Sequence, residues 1–186
     1  MRVSTLVVAG TLALLSTTGG ASACGKERWP VKVGTDADAA SVVRTPRTAT
    51  IAILTSIQAP PNPNRKSDSR YPLEFKTYTI SGTLILVRGE DDRDYHMVIQ
   101  DAQERTMIIE SPDPACARGS AFESEIAAVR EAIDQKLGGP FSKGRSVRPG
   151  LRVTVTGVGF FDVLHGQTGV APNGVELHPV LAITFR

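Results

Sequence analysis

The chain has 186 residues, 41% of them hydrophobic and 22% charged, with 21 basic against 19 acidic side chains and a formal net charge of +2. This hydrophobic content excludes a disordered, charge-dominated chain, and the near-neutral balance supplies no electrostatic reason to seek nucleic acid or another polyanion. The length suits one compact domain.

The first residues, "MRVSTLVVAGTLALLSTTGGASAC", carry Arg2, an apolar run from Leu6 to Leu15 too short to span a bilayer, and the small-x-small tripeptide Ala21-Ser22-Ala23. They read as a secretory signal peptide over 1–23, with the exported chain starting at Cys24 and located in the periplasm or outside the cell. Its removal takes away only Arg2 among the charges, leaving 20 basic against 19 acidic residues. No other stretch is apolar enough to span a membrane. Cys24 and Cys116 are the only cysteines. An even count in an oxidising compartment favours one disulfide. The alternative is a lipoprotein anchored through Cys24, since Gly20–Cys24 loosely fits that cleavage pattern without its usual leucine; Cys116 would then be a free thiol.

Residues 24–74 read as an N-terminal arm. "GTDADAASVV" offers Thr35 or Asp36 as a helix cap, and "TPRTATIAILTSI" reads as strand or helix, with a short helix favoured. "QAPPNPNRKSDSRYP" is too rich in proline for a helix or a sheet ladder and reads as an extended surface loop.

Residues 75–186 read as a mainly β domain. "KTYTISGTLILV" is a long first strand with Tyr78, Ile80, Leu84 and Leu86 on one face and Gly82 at a bend. "YHMVIQD" and "RTMIIES" are the second and third strands. A helix is expected over Ala121–Leu137, started by a Ser120–Glu123 capping box, striped by Phe122, Ile126, Val129, Ile133 and Leu137, and stopped by Gly138-Gly139-Pro140. "FSKGRSVRPG" reads as a mobile basic connector. "LRVTVTGVGFFDVL" is the fourth strand, with Gly157 and Gly159 at a bend or bulge. "VELHPVLAITF" is the fifth, with Val175, Leu177, Leu181, Ile183 and Phe185 on one face and Pro179 at a bulge or edge. Three strands, a helix and two strands resemble the OB fold, a five-stranded Greek-key barrel with a helix between strands three and four.

The chemistry-bearing residues gather near "DVLHGQTGVAPNGVELHPV". His165 is placed at the end of the fourth strand, and Glu176 and His178 on the fifth. In the second strand His96 points opposite to Tyr95 and Met97, with Glu90, Asp92 and Asp94 ahead of it on the same side. If the large apolar side chains face the barrel interior, His96, Glu176 and His178 lie on the outside. Imidazoles with carboxylates are ligands for Zn²⁺ and related divalent ions, so His96, His165, Glu176 and His178 form a candidate metal set. No paired-ligand motif supports it, and the bland reading is that the histidines brace a hairpin loop turned by Pro172-Asn173-Gly174. No nucleophile elbow or phosphate loop is present. Lys143, Arg145, Arg148 and Arg152 make a modest basic cluster that reads as a solvated loop.

"CGKERWPVKVGTDADA", "DYHMVIQD" with "TMIIESPDPAC", and "HGQTGVAPNGVELHPV" together resemble a family of exported bacterial proteins without an assigned activity. The resemblance implies export and a Cys24–Cys116 pair, and it carries no catalytic residues. The functional expectation is an exported binding or interaction module. The alternative is a metal-dependent hydrolase, a phosphodiesterase or nuclease, using His96, His165, Glu176 and His178.

Overall fold

The computed structural model describes residues 24–61, 63 and 68–186. The leader, 1–23, lies outside them, as do residues 62 and 64–67 of the proline-rich loop. In chain order the elements are α1 (Trp29–Val33), β1 (Val43–Thr48), α2 (Ile51–Thr55), β2 (Lys76–Gly89), β3 (Tyr95–Gln100), β4 (Thr106–Ser111), α3 (Glu123–Leu137), β5 (Ser146–Val147), β6 (Leu151–Phe161) and β7 (Val175–Phe185), with 3₁₀ turns at Ala39–Ser41, Pro72–Phe75 and Pro114–Cys116.

Strands β2, β3, β4, β7 and β6 pair in that order, and β6 pairs back to β2, closing a five-stranded barrel. β4 and β7 run parallel while the other barrel pairs are antiparallel. With α3 between β4 and β6, this is the expected OB-like architecture. The interior is filled by Tyr78, Ile80, Leu84, Met97, Ile99, Met107, Ile109, Val153, Val155 and Leu177, joined by Val129 and Ile133 of α3 and by Ile51 and Leu54 of α2. Phe122 and Ile126 of the predicted stripe are buried in a second cluster on the outer face, and Leu137 is half-buried.

Bulges shift the expected faces. Ile85 is an extra residue between the paired positions Leu84 and Leu86, so the alternation inverts and Val87, not Leu86, enters the interior cluster. β7 carries extra residues around Pro179 and at Leu181, opposite Gly157. Val180 therefore faces inward, and Leu181 packs against the outer cluster. The glycine and proline signals marked the right places. The parity of the strand beyond each bulge was unreadable, because one inserted residue exchanges the two faces.

Other expectations need correction. The segment "TPRTATIAILTSI" is half strand: β1 pairs with β2 in parallel before α2 begins. The Ser120–Glu123 box does not cap α3 in the standard way: Ser120 Oγ accepts from Phe122 N at 2.8 Å, and the Glu123 carboxylate accepts from Gly119 N at 2.8 Å. "FSKGRSVRPG" is not a loose connector. Phe141 is buried, β5 pairs with β2, and the Arg145 guanidinium donates to the Gly138 and Pro140 carbonyls. β6 ends at Phe161, so His165 lies in the β6–β7 loop rather than at a strand end.

The arm wraps the barrel and is bolted to it. Cys24 and Cys116 form the disulfide. Arg28, 3% exposed, donates through both terminal nitrogens to Glu74 at 2.7 and 2.6 Å, and Arg70 pairs with Asp36 at 2.6 Å. Val33 and Val42 pack with Phe122, Ile126 and Val158 on the outer face of the barrel. Among the described residues no helix is long and apolar enough to cross a membrane.

Candidate functional site

The β6–β7 loop is held in one conformation by its own polar atoms. Asp162 N donates to Gly174 O and Gly174 N to Ala171 O, both at 2.9 Å. Gly174 takes the left-handed conformation (φ 71°) that the turn after Pro172-Asn173 requires. Asn173 Nδ2 donates to Leu54 O at 3.0 Å and Ile57 O at 2.8 Å, tying the loop to α2. The PNG turn is thus a structural fixture, as the sequence suggested.

His96, Glu110, Glu176 and His178 all point to the outer side of the barrel, as alternation from Met97, Ile109 and Leu177 requires. Outside is not solvent here. α1 and the β6–β7 loop cover this face, leaving His178 at 0%, Asp94 at 1% and Glu176 at 2% exposure. His178 Nδ1 lies 2.9 Å from Lys32 O, a carbonyl that can only accept, so Nδ1 carries a proton. Nε2 faces Asp94 Oδ2 at 3.1 Å and Glu110 Oε2 at 3.2 Å. His96 repeats the pattern: Nε2 donates to Thr168 O at 2.9 Å, and Nδ1 meets Glu110 Oε1 at 3.0 Å. Glu110 therefore bridges the two imidazoles.

Burial opposes the charge on His178, but its hydrogen bonds to the accepting carboxylates of Asp94 and Glu110 outweigh it and raise its pKa to about 10. Burial likewise opposes the charge on His96, which Glu110 nonetheless holds above its ordinary value. Burial works against ionising Glu110 too, yet the two histidines and Lys32 keep it well below the usual carboxylate range. Lys32, beside Asp162 at 3.7 Å, resists its own desolvation because Glu176, Glu110, Asp162 and Asp94 surround it, and its pKa is raised. Glu176 is the group that yields. Burial, with Glu110 and Asp162 nearby, pushes its carboxyl well above the ordinary range, and its Oε1 has no hydrogen-bond partner among the described residues. Lys32, His96 and His178 thus stand among the carboxyl groups of Asp94, Glu110, Asp162 and Glu176, and pairing of this kind offsets the cost of burying charge.

Of the four residues singled out from sequence, the fold brings His96, Glu176 and His178 together. It leaves His165 exposed in the loop. Asp94 was flagged only as a carboxylate on the side of His96. Lys32 and Glu110 were missed. Glu110 did carry a signal, an acid alternating with Ile109 inside an apolar strand; Lys32 in "WPVKV" carried none, since only docking of α1 brings it here.

Beside the cluster opens a cleft of about 440 Å³ between the β2–β3 loop and the β6–β7 loop. Glu90, Asp91, Asp92, Glu110 and Asp162 line it against Lys32 and Arg88, with His96 and His165 on its walls. A second cavity of about 330 Å³ shares Asp91, Asp92, Asp162 and His165 and is bordered by Trp29. No family model and no curated protein matches the chain.

Proposed function

We propose that the protein is an exported binding module that takes a small organic cation, an ammonium or guanidinium compound, in the cleft between the β2–β3 and β6–β7 loops. The observation that carries this reading is the lining: the carboxylates of Glu90, Asp91, Asp92, Glu110 and Asp162 outnumber the basic Lys32, Arg88 and His96, and this acidic excess favours cations over phosphates. Its position supports it, because OB-like barrels take ligands over the second and third barrel strands between these two loops. Its volume is in the range that holds a small molecule. Export is supported by the leader pattern and by a disulfide, which persists in oxidising compartments. Intact mass of the secreted protein tests that part: a chain starting at Cys24 without acyl mass is expected, and an acylated Cys24 would make it a lipoprotein.

The ligand is tested by amide chemical-shift titration with a diamine, a polyamine and arginine, against a neutral trisaccharide and a short oligonucleotide. Cations should shift resonances of residues 90–94 and 162–168, more weakly at high salt. Shifts from the saccharide or oligonucleotide alone would reject the reading.

A second reading, a metal-dependent hydrolase acting on phosphodiesters, is favoured by one observation: single ligand atoms of Asp94, Glu110 and His178 all lie within 4.8 Å of one another. Burial weighs against it, since a catalytic ion keeps a coordination position open to substrate. Phosphodiester turnover with Zn²⁺, Mn²⁺ or Ca²⁺ that a chelator abolishes would establish the hydrolase instead.

A further inference from the structure

We propose that Asp94, Glu110 and His178 form a closed binding site for a divalent transition ion of the zinc class, a structural ion that joins the arm to the barrel. The site stands whether or not the cleft takes an organic cation. Two strands and the turn before a third supply it: Asp94 immediately precedes β3, Glu110 lies on β4 and His178 on β7.

Three features favour an ion over a purely protonic cluster. First, the spacing is right. A tetrahedral ion with ligands at about 2.0 Å separates them by roughly 3.3 Å along each edge. His178 Nε2 stands 3.1 Å from Asp94 Oδ2 and 3.2 Å from Glu110 Oε2. All three ligand atoms lie within 4.8 Å of one another. Second, His178 is oriented as a metal-binding histidine is. Its Nδ1–H is committed to the Lys32 carbonyl, which fixes the ring and turns the other nitrogen to the carboxylates. Third, the cluster holds carboxylate oxygens that protein groups leave unsatisfied. Asp94 Oδ1 and Glu176 Oε1 are buried and have no partner among the described residues, and Glu176 lies on the same face of β7 as His178. Buried oxygens of this kind cost free energy unless something completes them.

The imidazole and carboxylate donor set suits zinc-class ions better than calcium or magnesium, which prefer all-oxygen shells. The ion takes the lone pair on Nε2, so the proton there leaves to solvent as the metal–nitrogen bond forms. Glu110, which also borders the cleft, gives the route of entry. Because Lys32 O holds the ring of His178, the ion fixes α1 to β7 as well as β3 to β4.

The test uses tag-free, chelator-stripped protein titrated with ZnCl₂ by calorimetry at neutral pH. One ion per chain is expected, with a rise in melting temperature. Asp94→Asn should weaken binding by at least the roughly 10–100-fold that even outer partners of metal ligands command. Should His178→Gln fail to fold, X-ray absorption on the zinc-loaded wild type still decides. One imidazole among oxygen ligands at about 2.0 Å is expected. No binding, two imidazoles in the shell, or binding that survives Asp94→Asn but is lost in His165→Ala would overturn the site. Zinc binding without any organic-cation shifts would sink the cleft reading alone. Cation shifts without zinc binding would sink the ion site alone.

Discussion

Glu74→Gln is the sharpest perturbation the fold offers. Glu74 Oε1 accepts from Arg28 Nη1 at 2.7 Å and from Phe161 N at 3.0 Å, and Oε2 accepts from Arg28 Nη2 at 2.6 Å and Tyr71 N at 2.8 Å. Every one of these partners is a donor. A carboxamide must present its own NH₂ to two of them, and it takes the Glu74 counter-charge away from the Arg28 guanidinium where the side chains are 2% and 0% exposed. Breaking a buried pair from one side costs about 3–5 kcal/mol. At roughly 2–4 °C per kcal/mol for a chain of this size, the melting temperature should fall by about 6–20 °C. Arg28→Met in the Glu74→Gln background removes the buried charge that Glu74 no longer balances and should recover part of the loss, so the two changes are strongly non-additive. Urea unfolding followed both by the single tryptophan, Trp29, and by far-ultraviolet circular dichroism reads arm and barrel separately. The two probes should coincide in the wild type. A cost below about 1 kcal/mol, or additive changes, would refute the claim that this pair bolts the arm to the barrel.

Three further outcomes follow from the same structure. Replacing both cysteines by alanine opens a loop of sequence separation 92, and the chain-entropy relation gives a loss of about 4.6 kcal/mol, measured by denaturant titration; a loss under 1 kcal/mol would mean the arm is held without the bridge. Val129→Asp places a carboxylate at a site 3% exposed in the barrel interior and should cost at least about 3 kcal/mol; an unchanged melting temperature would show that α3 does not plug the barrel. In chelator, stability should decline as pH rises. The benefit of the charge on His178 is complete below its ordinary value of 6.5 and is lost as pH climbs through about 10. Asp94, which burial pushes up to about 6, and Glu176, pushed up by burial and its acidic neighbours, act in the same direction, since ionising them costs more in the fold than in the open chain. Glu110 opposes them only on the acid side, below its ordinary 4.5. A flat melting profile from pH 6.5 to 9.5 would contradict a buried, charged His178.

Local rules made much of this protein legible. The order of strands and helix, the apolar stripe of α3, the PNG turn, the bulge near Pro179 and the outward direction of His96, Glu176 and His178 all follow from period, turn chemistry and glycine or proline placement. Each is set by neighbours within a few residues. The disulfide partners were readable because the chain has only two cysteines.

What only the tertiary structure decided is everything that depends on distant segments meeting. Alternation put three polar side chains on the outer face and implied contact with water. The docked arm made that face a second interior, so the same side chains became a buried, hydrogen-bonded cluster. Lys32 and His178 are 146 residues apart and Arg28 and Glu74 are 46 apart, and no periodicity records such pairings. Glu110 became the bridge between two histidines because the β3–β4 register sets it opposite His96, and β4 lies beside β7. A sequence states which way a side chain points from its strand. What stands across from it is fixed by the packing of the whole chain, and for buried charges that is the term that decides protonation, ion binding and stability.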